Sequence, residues 1–402
     1  MNLKKIIEKN FTRLTFSPYT IEEVFRPISY EWHGDLEGRA LLAFCCHRKI
    51  NGQNIAWLEK FMEKLPHKLN VQGFLGTTFD KNSIDEQQLA GHSWLLRGLL
   101  AYDEITSDKN GVKYAEKIVN NLFFPALEHF DSYSLMPKNE EGDVSGNIIS
   151  KINGWKLSSD IGCLFISLDG LSHYYGKIKD NDLLLLLRKI TKAFSLLDFK
   201  GLKMQTHATL SATRGILKLY EITADEYYFS VAERVFNYYL NYGMTLTYEN
   251  YNWFGREDSW TEPCAVVDSF ILACKFYEIT KEKKYLTLLR RIWFNGLQFC
   301  FRNNGGAGPN TCVNSKNRYL SVSMYEAYFC CTMRYAEGLL YAFKNESLLS
   351  WNPSAESEKD ALGRVFVDDR LIVSDNGTLK PIFSCSDLSE QEAKEKRLGI
   401  IY

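Results

Sequence analysis

Apolar and polar positions along the chain follow a helical period, and the pattern repeats. "HSWLLRGLLAYDEIT" (His92–Thr106), "HATLSATRGILKLYEIT" (His207–Thr223) and "CAVVDSFILACKFYEIT" (Cys264–Thr280) are near-uniformly apolar and end in an aromatic-acidic-Ile-Thr turn. A more amphipathic segment follows each: "VKYAEKIVNNLF", "EYYFSVAERVFNYYL" and "KKYLTLLRRIWFNGLQF". A weaker copy opens at Asp160, and further copies open at "DLEGRALLAF" (Asp35) and "CCTMRYAEGLLYAF" (Cys330). A helix apolar all round must be buried all round, whereas an amphipathic one has a face for water. About six hairpins of roughly 50 residues close most simply into a ring of inner and outer helices. The pattern therefore predicts an all-α (α/α)6 barrel over residues 1–345. Beyond it, "GRVFVDDRLIVSDNGTLKPIFSC" (Gly363–Cys385) alternates around Asn376-Gly377, which predicts a β-hairpin in a short appendage over residues 346–402. The closing "SEQEAKEKRLGIIY" is charged and reads as a surface helix or an unordered end.

Composition narrows the classes. A net charge of −1 gives no footing for nucleic acid or an acidic membrane. The opening "MNLKKIIEKNFTRLTFSPY" has no apolar stretch of secretory-signal length, and "DLLLLLRKI" is too short to span a bilayer, so a cytoplasmic location is expected. There the ten cysteines are expected as thiols or metal ligands, not as a disulfide framework. An aromatic content of 14% suits a sugar-binding cleft, although most such rings pack in a core.

Aligned on the "YEIT" turn, His92, His207 and Cys264 fall near the starts of their inner helices, Asp160 takes the same place, and Cys330 heads the last one. Polar residues at one phase of several repeats point to a shared pocket. "TEPC" sets Glu262 two residues before Cys264, with Pro263 suited to a first helical turn. With the adjacent Cys330 and Cys331 this makes four ligands, a number zinc accepts. The alternative is that these thiols are buried small apolar groups, as Cys45 and Cys46 are expected to be.

"TEPC" followed by "CC", with "GH" opening an early inner helix and "THA" a later one, resembles the β-L-arabinofuranosidase family over roughly residues 25–345. The resemblance implies a retaining glycoside hydrolase on an (α/α)6 barrel acting on short oligosaccharides. It implies zinc at Glu262, Cys264, Cys330 and Cys331, with Cys330 as nucleophile. It further implies His92 and His207 as substrate contacts and matches Asp35 to an acidic position heading the first inner helix; Asp160, from its place in the repeat, and the aromatic Trp253 are expected to join them. Glu249 in "TYENYNWF" matches the general acid/base, with Glu257 in reserve. A small carbohydrate is the expected partner, and a homodimer is left open. The chain departs from the family at "CCTMR" in place of "CCPPN", in the histidine replaced near Asp160, and in ending before the family's larger β-modules. Two other readings stand beside this one: a glycan-binding pseudoenzyme with a structural zinc, and another helical-toroid enzyme such as a lanthionine cyclase or a sugar epimerase.

Overall fold

The computed structural model of the chain describes residues 2–26, 32–106, 108–135, 144–314, 316–317 and 320–349, with the backbone of short strands between 358 and 378. The helices in chain order are α1 (Leu3–Leu14), α2 (Ile21–Val24), α3 (Asp35–Asn51), α4 (Ala56–Lys64), α5 (Glu86–Ile105), α6 (Asn110–Ile118), α7 (Phe124–Leu127) and α8 (Ser167–Ile178). They continue as α9 (Asn181–Ser195), α10 (Thr206–Thr223), α11 (Glu226–Tyr242), α12 (Pro263–Thr280), α13 (Lys283–Arg291), α14 (Gln298–Cys300), α15 (Cys331–Lys344) and α16 (Glu346–Leu349). The repeated segments thus become α3, α5, α8, α10, α12 and α15. The near-uniformly apolar α5 is buried from Glu86 through Tyr102, and α12 from Pro263 through Cys274. Their amphipathic partners carry water-facing residues.

Backbone contacts divide the chain into two compact units, Ser17–Asn237 and the pair of segments Met1–Phe16 with Tyr238–Tyr402. In the first, α3, α5, α8 and α10 pack in succession, and glycine sets how closely. A Cβ on Gly38 of α3 would stand 2.2 Å from the Leu95 nitrogen of α5. A Cβ on Gly215 of α10 would stand 2.4 Å from the Leu168 carbonyl of α8. Only a hydrogen fits at either place, so the backbones touch.

A small sheet not expected from the sequence lies in this unit. Its strands are β1 (Ile84–Asp85), β2 (Ile148–Ile152) and β3 (Trp155–Ser158), ordered β1-β3-β2. Asn153 and Gly154 join β2 to β3, both at positive φ (51° and 86°), the backbone of a type I′ turn.

In the second unit α15 packs on α12 and on α1. The outer partner of the last inner helix is therefore the first helix of the chain. Asn10 of α1 fastens the join, donating from Nδ2 to the carbonyls of Gly305 (3.0 Å) and Thr332 (3.2 Å). Between α12 and α15, Arg334 pairs with Asp268 and Glu337, all of them buried. Further on, β4 (Glu358–Lys359), β5 (Val365–Asp368), β6 (Leu371–Ser374) and β7 (Gly377–Thr378) make an antiparallel sheet in that order. β5 pairs with β6, and β6 with β7, where Ser374 lies opposite Gly377; Asn376, in the expected hairpin turn, lies outside the described residues. The expectation for the charged end after residue 388 lies outside the described residues.

Candidate active site and metal centre

The ligand atoms of Glu262, Cys264, Cys330 and Cys331 all lie within 4.8 Å of one another. Two helix starts bring them together. Glu262 takes the N-cap position of α12 in extended conformation (φ −123°, ψ 113°), and Pro263 follows as the first helical residue. The Glu262 carboxylate does not cap the helix, while its peptide nitrogen is held by Asn250 Oδ1 at 2.9 Å. Cys264 then points inward, wholly buried.

Cys330 is the N-cap of α15, bent sharply at φ −148°, ψ −60°. The Ala327 carbonyl accepts from both Cys330 (3.4 Å) and Thr332 (3.3 Å), and this tight turn aims both neighbouring thiols the same way. Cys331 Sγ lies 3.3 Å from Cys330 Sγ and 3.5 Å from Cys264 Sγ.

The donor set fits zinc. All nine cysteines among the described residues are free, and these sulfurs are well beyond the ~2.05 Å of a disulfide. A tetrahedral zinc with bonds of about 2.3 Å to sulfur holds its thiolates roughly 3.8 Å apart, close to the separations found. Burial and the two neighbouring thiols push the Cys331 thiol well above its ordinary range. A divalent cation reverses that balance, because a coordinating thiol loses its proton outright. Cys45 and Cys46, by contrast, lie buried within α3.

Glu249 belongs to the same unit. Met244 bridges to Asn250 across a tight loop, in which Tyr248 takes a left-handed φ of 61° and turns Glu249 inward. Its carboxyl is fully buried and accepts from Asn310 Nδ2 (2.7 Å) and Thr247 Oγ1 (2.8 Å), with Thr261 Oγ1 at 3.3 Å. Burial outweighs these donors and raises its pKa to about 7. Glu257 is exposed and pairs with Lys316 at 3.0 Å. Trp253 is wholly enclosed, edge-on to Trp260 with the Arg256 guanidinium over its ring.

Four other residues named from the sequence belong to the unit Ser17–Asn237. Asp35, the first residue of α3, pairs with Arg39 at 2.8 Å. Arg39 also reaches His207 Nε2 at 3.3 Å and lies 4.3 Å over the Trp94 ring, on which His207 stacks. Asp160 accepts from Ser145 Oγ at 2.6 Å, and burial raises it to about 6. His207 is the second residue of α10, but His92 lies two turns into α5, which begins at Glu86. The Leu75 N–H donates to His92 Nε2 (3.1 Å), so Nδ1 carries the proton and donates to the Gln88 carbonyl (2.7 Å). Neither nitrogen is left for a ligand in this arrangement.

Sequence reasoning missed Asn310, Thr247 and Arg302 around Glu249, and Arg39 and Trp94 around His207. Only Arg39 left a signal, four residues after Asp35 on one helix face.

No family model and no curated protein matches this sequence. Solved structures do. A GH127 β-arabinofuranosidase matches with a TM-score of 0.56 at 11% identity, over 84% of this chain and 57% of its own. The GH127 β-L-arabinofuranosidase Ara127N from Geobacillus stearothermophilus gives 0.57 at 13%, over 85% and 62%. A cellobiose 2-epimerase from Bacillus thermoamylovorans gives 0.54 at 12%, over 85% and 100%. The fold class is (α/α)6. The chain spans less than two thirds of the length of either arabinofuranosidase. At such identities the likeness shows the fold alone and does not choose between hydrolase and epimerase. Among the described residues, no helix is long and apolar enough to cross a membrane.

Proposed function

We propose that the protein is a retaining glycoside hydrolase, β-L-arabinofuranosidase-like, acting on short oligosaccharides with Cys330 as nucleophile and Glu249 as acid/base. The observation that carries this reading is the convergence of Glu262, Cys264, Cys330 and Cys331 within 4.8 Å, with a buried carboxyl poised at about 7 in the same unit. Glu262, Cys264 and Cys331 would hold zinc together with Cys330; bound there, the metal supplies a charge that keeps the Cys330 sulfur as thiolate near neutral pH. Of the three cysteines Cys330 is the most exposed residue, at 8% against 1% and 0%, which favours it as the nucleophile.

In the first step the Cys330 sulfur forms a bond to the anomeric carbon as the glycosidic C–O bond breaks, and Glu249 passes its proton to the leaving oxygen. In the second, Glu249 takes a proton from water, water oxygen bonds to the anomeric carbon, and the C–S bond breaks. A group poised near pH 7 serves both directions of transfer. In the other unit, the Asp35, Arg39, Trp94 and His207 group has the charged and aromatic character that binds sugar hydroxyls and ring faces.

The test is hydrolysis of a panel of aryl glycosides that includes β-L-arabinofuranosides. Turnover of these with retained anomeric configuration supports the proposal. A zinc-bearing protein that cleaves none of them is a pseudoenzyme, and isomerisation of a reducing sugar without hydrolysis makes it an epimerase.

A further inference from the structure

Resting on the reading of Glu249 as the acid/base, we infer that its proton is carried on Oε2, with Thr247 as the residue that positions it. The hydrogen bonds around the carboxyl settle the direction of each donor in turn. Arg302 Nη2 stands 2.9 Å from Asn310 Oδ1, and a guanidinium only donates. The Asn310 amide is thereby oriented with its oxygen toward Arg302 and its nitrogen toward Glu249. One Nδ2 hydrogen goes to Glu249 Oε1 at 2.7 Å and the other to the Phe299 carbonyl at 3.1 Å.

Thr261 Oγ1 accepts from the Asn310 peptide N–H at 2.8 Å, which leaves its own hydrogen for Oε1 at 3.3 Å. Cys300 Sγ adds a thiol 3.7 Å from the same oxygen. Oε1 is thus surrounded by groups that donate, with no room for a proton of its own.

Oε2 meets a different partner. Thr247 Oγ1 lies 2.8 Å from Oε2 and 2.9 Å from Thr245 Oγ1. A hydroxyl rotates to suit, so Thr247 donates to the ionised carboxylate and, when Glu249 is protonated, accepts from it and donates to Thr245. The pair of threonines reverses with the charge while the oxygens stay in place. A leaving oxygen that replaces the Thr247 hydroxyl as acceptor then receives the proton directly. The other ionisable groups facing Glu249 are the Arg302 guanidinium, which favours the charged form, and the Cys312 thiol, which opposes it; the Tyr239 hydroxyl lies on the Glu249 carbonyl.

The experiment is infrared difference spectroscopy of the full chain across pH, with Glu249→Gln assigning the carboxylic C=O band. If Oε2 carries the proton, Oε1 is the carbonyl, and Asn310→Ala, which removes its strongest donor, moves that band to higher frequency. Thr247→Val leaves the band in place and raises its titration midpoint by about half a pH unit to one pH unit, the difference between a hydrogen bond to a charged carboxylate and one to the neutral acid. Thr247→Ser restores the midpoint. Should Asn310→Ala fail to fold, Thr261→Val removes the other Oε1 donor and is expected to shift the band in the same direction.

A band that moves in Thr247→Val and not in the Oε1 variants overturns the assignment, as does a Glu249 that shows no carboxylic band at pH 5. These spectra need no turnover. A wild type with the expected bands that hydrolyses no glycoside overturns the hydrolase reading and leaves the proton on Oε2.

Discussion

Replacing Glu249 with Gln is expected to stabilise the fold at alkaline pH while abolishing the acid/base. The carboxyl has a pKa of about 7 in the fold against an ordinary 4.5, chiefly because burial disfavours its charge. Between those values the unfolded chain has released the proton and the fold still binds it, so stability falls as pH rises. The contribution of the neutral carboxyl is fully present below 4.5 and is lost by the time the pH passes 7. At ~1.4 kcal/mol per pH unit, the fold at pH 8 carries a penalty of about 3 kcal/mol, against less than about 1 kcal/mol at pH 5. Glutamine matches the neutral carboxyl: its oxygen takes the Asn310 and Thr261 donors and its NH2 group meets the Thr247 hydroxyl. Urea unfolding of both proteins at pH 5 and pH 8 measures the difference. A Gln variant that is less stable than wild type at pH 8, or a gap that does not change with pH, would show that Glu249 is not held neutral by burial.

Three further outcomes are expected. Cys264→Ser lowers bound zinc well below one per chain by elemental analysis and lowers the thermal midpoint with it, since three ligands hold the ion less firmly than four. Asp268→Asn leaves Arg334 buried with one carboxylate fewer and costs roughly 3 kcal/mol by denaturant unfolding. Gly38→Ala forces α3 away from α5, where its methyl group would stand 2.2 Å from the Leu95 nitrogen, and lowers the unfolding midpoint or the yield of folded protein.

The inner helices are legible in the sequence because total burial leaves them apolar on every face, and the "YEIT" ends mark their register. The role of α1 is not legible. An amphipathic N-terminal helix says that it packs on something, not that its partner is α15 more than three hundred residues away. The outer segments "VKYAEKIVNNLF" and "KKYLTLLRRIWFNGLQF" contain wide π-type turns at Val119–Phe123 and Ile292–Leu297, which the apolar period runs through without a break. The β2–β3 hairpin, with strands of five and four residues, carried the same Asn-Gly signal at Asn153-Gly154 as Asn376-Gly377 without being recognised in the sequence.

The cluster of Glu262, Cys264, Cys330 and Cys331 was readable because Glu262-x-Cys264 and Cys330-Cys331 are short motifs at helix starts, where local geometry aims the side chains. What surrounds Glu249 was not. Asn310 and Arg302 reach it from a loop some sixty residues later that follows no period, and it is their hydrogen bonds that orient the carboxyl. His92 shows the converse. Its position in the repeat suggested a pocket, while the partners that occupy both its nitrogens lie on a loop and on its own helix.

The most direct measurement is mass spectrometry of the Glu249→Gln protein quenched during reaction with a β-L-arabinofuranoside bearing an activated leaving group. Such a substrate needs no acid to form the covalent intermediate, and the missing base slows its release. One pentose per chain is expected, attached to a peptide containing Cys330 and absent from a Cys330→Ala protein. A pentose on a carboxylate instead, or no adduct while the sugar is still released, would contradict Cys330 as the nucleophile.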